Sequence, residues 1–274
     1  MLVLRCAEEQ AVTLLPLIAN KRLHMATPET AADATPPKGG DLVARHRLST
    51  RLWHWLNALA IFIMLMSGMM IFNAHPRLYW GEFGANPDAA WLEIGSMEGV
   101  AFPGWLTIPS FYSLADARIW HLAFAWILLV GAPLYLIWSL ANRHLQRDLW
   151  FARGELRPNH IWHDIKEHAA LRLPTGAAAL KYNVLQKGAY LGVLLVLIPL
   201  VVLTGLAMSP GFDAALPVSA WFGGRQSARS LHFIAAGGFA LFIAVHLAMV
   251  VLAGPFNEVR SMITGRYRLP KERV

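Results

Sequence analysis

The chain has 274 residues, of which 56% are hydrophobic and only 15% charged, with a mean hydropathy of +0.42 and a formal charge of +7. A soluble domain carries about 25% charge, so this composition excludes an ordinary soluble fold. The single cysteine, Cys6, excludes a disulfide framework, a cysteine zinc site, an iron-sulfur cluster held by this chain and covalent C-x-x-C-H haem attachment, leaving histidine or methionine for any redox metal.

Residues 1–24 include an apolar patch, but Arg5, Glu8 and Glu9 precede it and no small-residue cleavage site follows, so no signal peptide is expected. Met25 opens an Ala/Pro/Thr-rich tract and is a candidate translation start; residues 1–44 read as a flexible tail ahead of a membrane domain at 45–270. Four apolar stretches follow, at 52–72, 119–140, 189–208 and 231–253, with lengths of 21, 22, 20 and 23 residues. Each can cross a hydrocarbon layer of about 30 Å at about 1.5 Å per residue. The predicted fold is therefore an all-α integral membrane four-helix bundle.

Between the first two stretches, residues 73–116 form a long, acidic segment carrying Trp80, Trp91, Trp105, Phe83, Phe102 and Phe111, which suits an interfacial cap or docking surface. Between the second and third, residues 159–172 place Ile161, Trp162, Ile165 and His168 on an approximate helical stripe, predicting a surface helix on the cytoplasmic side. Basic residues sort by side. From Lys38 onward, seventeen lie before the first stretch, between the second and third, or after the fourth; only Arg77, Arg118, Arg225 and Arg229 lie in the other two segments. The positive-inside rule then puts both termini in the cytoplasm, and the basic balance reflects membrane topology and not nucleic-acid binding.

Four of the eleven histidines, His54, His121, His232 and His246, fall inside or at the edge of predicted spans, where an ionisable side chain is costly unless engaged. Their depths match in two pairs: His54 with His246 near the cytoplasm, His121 with His232 near the exterior. On the fourth span, 14 residues separate His232 from His246, which brings both to one helix face about 21 Å apart. That is too far for one metal or macrocycle and suits two stacked haems, each held by two imidazoles in a six-coordinate, electron-transferring site. Arg51, Arg118 and Arg229 each stand three residues before one of these histidines, on the same face and nearer water, as haem propionates require. Snorkelling is the alternative reading of these arginines, yet Arg118 and Arg229 lie on the side where positive-inside sorting does not supply them. Met66, Met69, Met70, Met208 and Met249 read as packing residues, and His160, His163 and His168 with Asp164 lack a recognised zinc spacing.

The segments RLWHWLNAL (51–59), ARIWHLAFAW (117–126), KYNVLQK (181–187), ARSLHFIAAGGFALFIAVH (228–246) and RSMITGRY (260–267) resemble the bacterial cytochrome b561 family, which includes cytochrome b subunits of Ni,Fe-hydrogenases, formate dehydrogenases and thiosulfate reductases. The run 45–81 looks most like the thiosulfate-reductase type, whose members often accompany a molybdopterin oxidoreductase. The resemblance implies two haem b groups, on His54 with His246 and on His121 with His232. It also implies a quinone pocket near the inner haem at Tyr182, Asn183, Gln186 and Lys187, where carbonyl recognition needs hydrogen-bond donors. The alternative for Asn183 and Gln186 is a polar turn starting the third span. Val184 and Leu185 depart from the small residues of formate dehydrogenase relatives, and the outer segment is longer.

The function expected is inner-membrane electron transfer between quinone and a periplasmic, molybdopterin-type oxidoreductase. Two rivals remain: an autonomous superoxide:quinone oxidoreductase of the cytochrome b561 type, and a haem-free anchor or transporter.

Overall fold

A computed structural model describes residues 37–95, 100–172, 174 and 179–271. The candidate start at Met25 and the tail through residue 36 lie outside the described residues. Leu42–Ala44, which composition assigns to the tail, forms strand β1.

Four long helices cross the bundle: α1 (Leu48–Asn73), α2 (Leu114–Ala141), α4 (Val184–Met208) and α6 (Arg225–Ala253). Each is long and apolar enough to span a membrane, and their outward faces carry Leu52, Phe62, Ile119, Trp126, Leu134 and Leu241 exposed, as lipid-facing helices do. Polar caps extend two of the helices beyond their apolar stretches. Ser113 accepts from Asp116 N at the start of α2. Asn183 caps α4 six residues before the apolar run. Within α4 the backbone widens into a π-turn at Val193–Leu197, just before Pro199, whose missing N–H and ring would disrupt a regular turn.

Helix α1 packs along α2 and α4 along α6, giving two antiparallel pairs that meet chiefly where α2 faces α4. At mid-depth, Ala132, Ile198, Val201, Ala235 and Phe239 form a buried layer with Ile61 and Leu65 packed against it. Trp53 lies over Gly131, where a Cβ would come within 2.8 Å of the indole, and stacks on Tyr135 at 5.0 Å.

The two ends of the bundle are finished differently. At the end where α1 starts and α6 stops, Gly254, at φ +105°, turns the chain sharply into the surface helix α7 (Pro255–Thr264) and then strand β4 (Arg266–Arg268). Strand β4 pairs antiparallel with β1, Val43 opposite Tyr267. Arg45 bridges Glu258 at 3.2 Å and lies over the Tyr267 ring. The surface helix α3 (Pro158–Ala169) sits between α2 and α4 in sequence, where the striped segment predicts it.

At the opposite end, residues 74–95 and 100–113 contain the short strands β2 (Arg77–Leu78) and β3 (Leu92–Glu93) and are fastened to the first turns of α6. Gly81 O accepts from Gln226 N and Ser227 N, while Gly81 N donates to Ser227 Oγ at 2.7 Å. Trp91 Nε1 donates to Ser230 Oγ, which donates to Tyr79 O. Arg229 donates to the carbonyls of His75 and Arg77. This segment is a folded cap, whose outer surface leaves Phe83, Trp105, Phe111 and Tyr112 exposed. After α4, the short helix α5 (Pro210–Ala215) leads to α6.

Candidate metal centres and the polar end of the third span

The histidines of interest come from both helix pairs. His54 lies on α1 and His121 on α2; His232 and His246 both lie on α6. At the capped end, the ring centres of His121 and His232 are 6.1 Å apart, with planes inclined by 60°. At the other end, the centres of His54 and His246 are 6.2 Å apart, inclined by 56°. Two imidazoles opposed across one metal ion, each nitrogen at about 2.0 Å and each ring centre about 1.1 Å behind it, would have centres about 6.2 Å apart. The two separations fit an ion between each pair. They also fall within the range of tilted and edge-on ring contacts.

The surroundings are apolar. A cavity of about 40 Å³ beside His121 and His232 is bounded by Ile61, Met64, Leu65, Leu128, Val201 and Phe239. His121 Nδ1 lies 3.1 Å from both Ser67 Oγ and Met64 O, and His232 Nδ1 lies 3.0 Å from Thr204 Oγ1. With the Nδ1 atoms occupied, each ring's Nε2 lone pair is left as the ligand atom. At the other level, Arg51 Nε, His54 Nδ1 and Asn57 Oδ1 are buried on successive turns of α1 with no protein partner, the kind of polar residue a bound group would satisfy.

The three arginines differ. Arg51 donates to Ile263 O beside Trp55, whose Nε1 donates to Met262 O, yet Arg51 keeps its buried Nε unpaired. Arg118 is exposed. Arg229 is committed to the cap carbonyls, a role that the i, i+3 spacing to His232 does not reveal because His75 and Arg77 lie more than 150 positions away.

Asn183 and Gln186 form a capping box: Asn183 Oδ1 accepts from Gln186 N at 2.8 Å, and Gln186 Oε1 accepts from Asn183 N at 3.3 Å. Of the two sequence readings, the polar turn is therefore present. Asn183 Nδ2 donates to His168 Nε2 at 3.0 Å, and Asp164 Oδ2 accepts from Val184 N, so α3 is hooked to the start of α4. Lys187 is buried and paired with Glu155 at 2.8 and 2.9 Å, a bond that holds the Glu155 carboxyl below the usual range. Tyr182 packs edge-on against Tyr190, and burial raises its phenol pKa. Sequence reasoning missed Ser67 and Thr204. Their only local signal is a hydroxyl residue followed by glycine on the first and third spans, Ser67-Gly68 and Thr204-Gly205.

Comparison with known proteins agrees with this architecture. A protein of Azospira oryzae named "Putative protein-methionine-sulfoxide reductase subunit YedZ1" is 29% identical over 213 residues, covering 77% of this chain and 92% of that protein. A "Probable Ni/Fe-hydrogenase B-type cytochrome subunit" of Cupriavidus necator is 22% identical over 239 residues, covering 81% and 85%. Residues 45–265 match the family described as prokaryotic cytochrome b561, and with four apolar spans and histidines paired inside them, the chain belongs to that family of haem b-binding membrane electron-transfer subunits.

Proposed function

We propose that this chain carries electrons through two b haems, one held by His54 and His246 and one by His121 and His232, between quinone at the cytoplasmic face and an oxidoreductase docked outside the bacterial inner membrane. The observation that carries this reading is the pair of ring separations, 6.1 and 6.2 Å, each matching two imidazoles on one ion. Bound haem would supply a one-electron couple at each level. The protein supplies the rest. His54 with His246 and His121 with His232 would hold the two haems, two imidazoles to each, which suits electron transfer and not oxygen chemistry. The layer around Phe239 and Val201 keeps water and ions from the space between levels. Arg51 offers an unpaired Nε toward a propionate at the inner level, and Arg118 stands on the outer side at the start of α2.

The basic residues support placing both termini in the cytoplasm, which makes the cap the outer surface. Quinone would be met at the inner end, where Tyr182, Asn183, Gln186 and Lys187 gather beside α3. Asn183 and Lys187 hold donors there, and His168, Asp164 and Glu155 give a polar route for protons from cytoplasmic water. The exposed aromatics of the cap suit a docked enzyme. Both named relatives are subunits of oxidoreductases. The resemblance of residues 45–81 favours a molybdopterin enzyme as the partner. Direction of flow follows from the partner: one that oxidises its substrate sends electrons inward, and one that reduces its substrate draws them outward.

The test is the haem content and reduced-minus-oxidised spectrum of the purified protein. The reading expects about two b haems per chain, loss of one in His232→Ala and loss of the other in His54→Ala. A colourless protein, or a spectrum indifferent to both substitutions, refutes it.

A further inference from the structure

We infer that the hydroxyls of Ser67 and Thr204 are positioning residues for the outer histidine pair and hold the outer haem at a lower potential than the inner one. This rests on the two-haem reading above. Both hydroxyls are fully buried, at 0% exposure, in the apolar interior. Ser67 Oγ donates to Ile63 O at 2.7 Å, which leaves its oxygen to share His121 Nδ1–H with Met64 O, each at 3.1 Å. Thr204 Oγ1 donates to Leu200 O and accepts from His232 Nδ1–H. The same device therefore occurs twice: a hydroxyl on the first helix of a pair bonds back to its own helix and receives the proton of a histidine on the second. In both cases glycine follows. A Cβ at Gly68 would stand 3.4 Å from His121 Cε1, and one at Gly205 would stand 3.6 Å from His232 Cε1, so each glycine lies directly against its ring.

No counterpart exists at the inner level among the described residues. His54 Nδ1 is buried and bonded to nothing, and His246 is held only by ring contacts with His54 and Phe242. Arginines stand one turn from a ligand at both levels, Arg51 at the inner and Arg229 with the exposed Arg118 at the outer. The hydroxyl bonds act at the outer level alone. A proton donated from Nδ1 to oxygen pushes electron density toward Nε2, strengthens the ligand and favours ferric over ferrous iron, which lowers the potential. It also fixes the tautomer and the ring rotation before any haem arrives.

The experiment is a spectroelectrochemical titration of the haem-loaded protein. Wild type should show two waves, the lower one being the wave lost in His232→Ala. Ser67→Ala and Thr204→Val should each move that lower wave upward by about 59 mV, equivalent to a tenfold change in ferric preference for one electron. The other wave should stay in place. Ser67→Thr and Thr204→Ser keep the acceptor and should keep the wild-type potential, which a purely packing role for these side chains would not require. If Ser67→Ala or Thr204→Val cannot hold haem, the order of the wild-type waves still decides: loss of the higher wave in His232→Ala overturns the inference. Unmoved waves in variants that retain both haems also overturn it while leaving the two-haem reading intact. Absence of haem from the wild type would instead refute that reading.

Discussion

Replacing Gly224 by alanine should detach the outer cap from the bundle. Gly224 sits at φ +113° and ψ 167°, a region open to glycine and strained for other residues by about 1–3 kcal/mol. An added Cβ would also stand 2.6 Å from Glu82 N and from the carbonyl carbon and oxygen of Gly81. These are backbone atoms, which cannot rotate away as a side-chain tip would. Relief requires the loop to withdraw, which breaks the bonds from Gln226 N and Ser227 N to Gly81 O and the return bond from Gly81 N to Ser227 Oγ. Net losses of about 1 kcal/mol per bond, partly overlapping with the strain, give a local cost of about 2–4 kcal/mol. Hydrogen exchange read by mass spectrometry should then show protection over residues 77–93 falling by about 100-fold, while amides of α2 at mid-depth keep theirs. Gly237→Ala is the matched control: it lies on the same helix with nothing within 4 Å of an added Cβ, and protection there should hold or rise. Wild-type protection of 77–93 in Gly224→Ala would refute the view that this contact seats the cap.

The remaining predictions concern the end of the bundle opposite the cap. Lys187→Met should destabilise the protein by about 1–3 kcal/mol, between exposed and buried pairs, since the side chains of Lys187 and Glu155 are 11% and 23% exposed. Because Lys187 lowers the Glu155 pKa, the pair's contribution is present above the ordinary carboxylate range and lost as pH falls through the lowered value, so melting of the variant should respond less to acid. Burial, with Arg45 beside it, pushes His46 down to about 4 from 6.5. The unfolded chain then takes up a proton that the folded chain refuses, so stability drains as pH drops from 6.5 toward 4, and His46→Gln should flatten a thermal-melt profile across that window. Asn183→Ala removes the capping box at a cost of about 1 kcal/mol and should slow quinone turnover with both haem spectra intact; unchanged turnover would exclude Asn183 from quinone binding.

Hydropathy and helical period are local properties, and they were enough to mark four spans, a surface helix and four histidines at two depths, because a residue's level in a membrane helix follows from its position along the chain. The spacing of 14 residues on α6 likewise fixes His232 and His246 to one face. Partner choice is not local. Arg229 and His232 share a helix face, but which carbonyl takes the guanidinium depends on a loop that returns from residues 75–77. Asn183 has the chemistry of a quinone donor and of a helix cap, and only the approach of Gln186 and His168 shows that its groups are engaged. Ser67 and Thr204 look like ordinary small residues in apolar helices until the neighbouring helix brings an imidazole to within 3.1 Å. The membrane's demand for apolar surface is written along the chain; hydrogen bonds inside it need two segments to meet, so the tertiary structure alone decided which polar atoms are spent on the fold and which are left for a ligand.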